Sequence, residues 1–67
     1  MNDLDLAQKV VEEASKKINE LINTRMENLE KGRATDYAEY KNVVGQLRGL
    51  RESDDILKQI YKRLEDV

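Results

Sequence analysis

The stretch YKNVVGQLRGLRESDDILKQIYKRL, from Tyr40 to Leu64, decides the fold of this chain. At about 100° per residue, most of its large apolar residues fall in one stripe of an α-helix, in which Asp54 is the only polar member. The stripe consists of Tyr40, Val43, Leu47, Leu50, Leu57, Tyr61 and Leu64. This spacing predicts a helix from about residue 36 to about residue 65, with one face packed on another helix.

A second stripe of small and apolar residues lies about 120° around the same predicted helix. It contains Ala38, Gly45, Gly49, Ile56, Ile60 and Val67. Each glycine costs about 1 kcal/mol relative to alanine inside a helix. Two interpretations stay open at this point: a partner approaches the backbone closely at Gly45 and Gly49, or the helix breaks at one of them.

The first half of the chain predicts another helix, from about residue 3 to about residue 31. One apolar stripe runs along it, formed by Leu4, Ala7, Val11, Ala14, Ile18, Leu21, Ile22, Met26 and Leu29. Gly32 is typical of the residue just past the end of a helix, and Asp36 with Glu39 is typical of a helix start. The connection, about 32–35, is short enough to make the two helices antiparallel neighbours.

The predicted fold is therefore all-α, a single domain over 1–67 built as an antiparallel two-helix hairpin. Its core is expected to contain Val11, Ile18, Leu21, Tyr40, Leu47, Leu50, Leu57 and Leu64. The first helix has one apolar face and the second has two, so a lone hairpin leaves one face uncovered. We expect a dimeric four-helix bundle. The predicted self-association residues are Ala38, Gly45, Gly49, Ile56 and Ile60. The alternative is one wide stripe in a monomer.

Composition excludes several classes of site. The 67 residues include no cysteine and no histidine, which excludes disulfides and the usual zinc, copper and nickel sites. Twelve basic and fourteen acidic residues give a net charge of only −2, which argues against duplex DNA or an anionic membrane as the partner. Apolar runs are too short for a membrane span, so we expect a soluble protein, and the absence of cysteine fits a cytoplasmic one. One sector of the second helix is basic, but interleaved acids favour a solvated charged face; its cations are Lys41, Arg48, Arg51, Lys58 and Lys62.

No catalytic arrangement stands out among the polar residues. Ser15 and Ser53 have no histidine to activate them. Asp54 and Asp55 are adjacent and point about 100° apart on a helix, so they do not form a carboxylate pair. There is no glycine-rich phosphate loop. We expect a protein that is not an enzyme and has no cofactor or metal.

The segment from Asp36 to Leu50 resembles small proteins of tailed bacteriophages. The resemblance rests on Tyr40, Gly45, Gly49 and Leu50, a Tyr-x4-Gly-x3-Gly-Leu run that follows a polar helix start and precedes a charged helical tail. Such proteins are short, poor in cysteine and encoded among virion-assembly genes. The resemblance implies a helical hairpin with the paired glycines as a shared packing feature.

Together these features predict a helical oligomerisation and protein-interaction module of phage origin, acting in virion structure or assembly. Its expected partners are other copies of itself and a virion component or host protein, in the host cytoplasm or in the virion. The alternative is a small phage regulator that binds and inhibits a host enzyme.

Overall fold

The computed structural model describes residues 2–32 and 36–66, and it contains two helices, α1 (Asp3–Glu30) and α2 (Tyr37–Glu65). No strand occurs in these two ranges, so the all-α prediction is confirmed. Of the predicted connection, only Gly32 lies within the described residues, and Val67 of the second stripe lies outside them. In the described ranges, neither helix contains a stretch long and apolar enough to cross a membrane.

Side chains at the helix starts satisfy backbone N–H groups that have no partner within the helix. The Asn2 Oδ1 atom accepts a hydrogen bond from the Asp5 N–H at 2.8 Å, and the Asp36 Oδ1 atom accepts one from the Glu39 N–H at 2.7 Å. After α1, Gly32 has a φ of +66°, which glycine adopts at little cost. These local signals set the helix bounds.

Three side-chain contacts show that the helices run antiparallel. Glu12 meets Tyr61, Ser15 meets Asp54, and Arg25 meets Gln46. Residue numbers rise along α1 while those of their partners fall along α2. The result is a flat rod of 49 × 16 × 12 Å.

The packed seam between the helices is thin. Its only buried apolar side chains among the described residues are Ile22 and Leu47, which are 8% and 6% exposed. Half-buried residues extend the seam with alternating steps of three and four, as in packed helix pairs. Five of the predicted core residues are half-buried in this way: Val11, Ile18, Leu50, Leu57 and Leu64.

Two predicted core residues differ from expectation, since Leu21 and Tyr40 are 42% and 50% exposed. In α1, Ile22 and Arg25 belong to the seam and face α2. Leu21, one residue before Ile22, therefore points to one side of the seam. Tyr40 lies level with the last residues of α1 in the antiparallel pairing, so α1 has nearly ended where it would cover the ring.

Helix α2 continues through both of its glycines, so the interpretation as a helix break is wrong. No atom within the described part of the chain lies within 4 Å of the position that a Cβ would take on Gly45 or Gly49, beyond the helix's own backbone and the adjacent residues. Helix α1 therefore does not use the space that the missing side chains leave.

Leu47→Ala should lower the free energy of unfolding by about 2–5 kcal/mol, because it removes a buried side chain from a seam that has few of them. Chemical unfolding followed by circular dichroism measures this loss. The control is Leu6→Ala, at a leucine that is 55% exposed. A similar loss in both variants would show that Leu47 does not anchor the seam.

Candidate functional site

The hairpin has two broad faces of different chemistry. On one of them, which we call the polar face, a groove of about 380 Å³ runs between the helices. Its walls are formed by Val11, Glu12, Ser15, Lys16, Asn19, Leu57, Lys58 and Tyr61. We call the opposite face the apolar face.

A carboxylate stands at the centre of the seam, beside this groove. Asp54 is 4% exposed, and its Oδ1 atom accepts hydrogen bonds from the Ser15 hydroxyl at 2.5 Å and from the Asn19 amide at 3.3 Å. Its Oδ2 atom lies 2.9 Å from the Lys58 ammonium group. Each carboxylate oxygen thus has a partner, as a buried charge requires.

These partners keep Asp54 ionised. The Ser15 hydrogen bond and then the Lys58 hydrogen bond and charge hold the pKa of Asp54 below its ordinary value of 3.8, although burial acts in the opposite direction. A carboxylate with a lowered pKa is a weak base towards a serine hydroxyl. The arrangement fits a structural role: a polar residue at one position of a packed seam fixes the register of the helices.

The rest of the polar face is also held by polar contacts. The Tyr61 hydroxyl donates to Glu12 at 3.0 Å, and this carboxylate raises the pKa of Tyr61 because it favours the protonated phenol. Near the start of α2, the Lys41 ammonium group lies 5.5 Å from the centre of the Tyr37 ring. Of the basic sector predicted from sequence, Lys58 is engaged by Asp54.

Four exposed apolar side chains lie on the apolar face. Each is two residues away from a residue of the polar face, which is about 200° of helical rotation. On α1 they are Val10, two residues before Glu12, and Leu21, two residues after Asn19. On α2 they are Ile56 and Ile60, which lie two residues before and two residues after Lys58. Their exposed fractions are 62%, 42%, 56% and 41%. Both helices therefore contribute apolar side chains to this face, on which Lys17 and Ser53 are also exposed.

The predicted self-association residues are all exposed. At about 100° per residue they fall within about 60° of one another around α2, so Ala38 and Gly45 lie in the same strip as Gly49, Ile56 and Ile60. This strip belongs to the apolar face. The contribution of α1 to this face was missed from the sequence, although Val10 stands outside its predicted stripe and was a signal for it.

No cluster of three or more metal-binding side chains occurs in ranges 2–32 and 36–66. The chemistry that the described surfaces offer is hydrogen bonding at Asp54 and burial of apolar area on the opposite face.

Asp54→Asn should lower the free energy of unfolding by about 1–3 kcal/mol at pH 7, since it replaces a buried, hydrogen-bonded charge. The folded-state pKa of Asp54 is below the unfolded value, so its contribution is complete well above pH 3.8 and is lost as the pH falls through the folded-state pKa. Urea unfolding of both proteins between pH 7 and pH 2 should show the difference shrinking only at the acid end.

Asp55→Asn is the matched control, because Asp55 is the exposed neighbour of Asp54 on α2. It should change stability by a few tenths of a kcal/mol, the ordinary range for a surface substitution. Equal pH profiles for the two variants would contradict the assignment of this acid sensitivity to Asp54.

No family, no curated protein and no solved structure matches the chain.

Proposed function

We propose that this protein is a non-enzymatic helical interaction module that assembles as a dimeric four-helix bundle through its apolar face. The observation that supports this most directly is the apolar surface shared by the two helices. Val10, Leu21, Ile56 and Ile60 all expose more than two fifths of their area there. Fully burying an exposed side chain of this kind contributes about 1.5–3 kcal/mol, and burying the remaining exposed part of these four contributes proportionally less.

The exposed area supports the same proposal. The hairpin exposes 5285 Å², whereas a compact protein of this mass exposes about 4,400 Å². The excess of about 900 Å² is close to the roughly 800 Å² that each partner contributes to a standard interface. The radius of gyration of 15.4 Å likewise exceeds the value of about 11 Å for a compact domain of this length.

Small residues beside the large ones make the apolar face suitable for a second pair of helices. Ala7 and Ala14 lie on α1, and Gly49 lies on α2. Helices approach one another closely where side chains are small, and larger side chains of the partner can then fill the space between them. The open space at Gly49 offers such a position.

For the biological role, we propose a phage protein that acts in virion structure or assembly in the host cytoplasm. The support is the resemblance of the Tyr40–Leu50 segment to small proteins of tailed phages, together with the assembly-competent face. A dimer would bring two polar faces to the outside, where a virion component could bind. Binding and inhibition of a host enzyme is the alternative role for the same surface.

Ile56→Lys combined with Ile60→Lys should weaken self-association at least tenfold, because it places two charges in the apolar interface. Sedimentation equilibrium measures the dissociation constant. Tyr37→Lys is the control, since Tyr37 is an apolar residue on the polar face and is 73% exposed. If the double variant associates as tightly as the unchanged protein, the apolar face is not the interface.

The biological role needs a separate experiment. An affinity-tagged copy expressed during infection should be recovered with a virion component, or in purified particles of the phage that encodes it. Recovery of a stoichiometric complex with a host polymerase or nuclease, and of no virion component, would contradict the assembly role and favour the regulator.

A further inference from the structure

We infer that the two copies are related by a twofold axis parallel to the helices, so that α1 of each copy lies on α2 of the other. This inference rests on the proposed self-association through the apolar face. It goes further by naming which residues meet across the interface.

The antiparallel pairing within one hairpin fixes which residues of the apolar face are level. Glu12 meets Tyr61, and Ser15 meets Asp54. Val10 is therefore level with Ile60, and Ala14 is level with Ile56. The contact between Arg25 and Gln46 continues this register, which places Leu21 level with Gly49.

A twofold axis parallel to the helices preserves these levels and exchanges the helices. Val10 then lies on Ile60 of the second copy, which pairs two exposed apolar side chains. Ala14 lies on Ile56 of the second copy, and Leu21 lies on Gly49. In the last two pairs a large side chain meets a small one, and the open space above Gly49 receives the leucine. Every neighbouring pair of helices in the bundle is antiparallel.

An axis perpendicular to the helices fits the same face less well. With full overlap, it would reverse the ends of one hairpin relative to the other. Val10 would then lie on Thr24, and Ile60 would lie on Gln46, so exposed apolar side chains would meet polar ones. Lys17, near the middle of α1, would face its own copy, which places like charges together.

Two polar positions on the apolar face distinguish these arrangements. Lys17 is level with Ser53, and both are exposed. The natural sequence has no cysteine, so single-cysteine variants report one position each. Lys17→Cys and Ser53→Cys proteins, one carrying a size tag, are mixed under mild oxidation. A disulfide needs Cβ atoms about 3.5–4.5 Å apart, so it reports close contact.

The expected result is a mixed disulfide between the two variants at least fivefold more abundant than either homodisulfide. A mixture of Lys16→Cys and Asp55→Cys, which lie away from the apolar face, is the control and should remain largely unlinked. Predominance of the Ser53→Cys homodisulfide would overturn the parallel axis and support the perpendicular one. Absence of the mixed disulfide in a preparation that has the mass of a dimer would also overturn the parallel axis.

The mass of each variant under reducing conditions distinguishes a wrong arrangement of the two copies from a failure of self-association. A dimer with the wrong disulfide pattern overturns only the arrangement of the copies. A monomer at every concentration overturns the arrangement together with the proposed self-association.

Discussion

Two helices can cover only one stripe of each other, and this limit shapes the rest of the molecule. Only Ile22 and Leu47 are buried apolar residues within the described chain, because no third element closes the seam from either side. A core in a chain this short rarely supplies more than about 3–5 kcal/mol. Because cysteine and histidine are both absent, neither disulfides nor the usual zinc sites add to this stability, and we propose that association with a second hairpin does.

Asp54 and its partners on α1, Ser15 and Asn19, fix the register of the two helices. An all-apolar seam would allow the helices to slide by one repeat with little change in buried area. Only the observed register brings Ser15, Asn19 and Asp54 together, and any other would leave the carboxylate buried without those partners. The same register sets the levels of Val10, Leu21, Ile56 and Ile60 on the opposite face. A polar contact on one side therefore determines the pattern of apolar residues on the other.

Helical periodicity was sufficient to predict two helices and most of the seam, because steps of three and four are visible in a single sequence. It did not show that Leu21 and Tyr40 lie exposed, since that depends on the helix ends and on how α1 is rotated in the pair. The role of Ser15 as a partner of Asp54 was also missed. The two residues are 39 positions apart, and only the register of the folded hairpin brings them into contact.

We propose that the hairpin is half of a larger helical assembly. The most direct test is the solution mass of the unchanged protein, measured by light scattering behind a sizing column at two concentrations. We expect twice the mass of one chain at the higher concentration, with any dissociation confined to the lower one. The mass of a single chain at both concentrations would contradict it, and would leave the apolar face to a different partner.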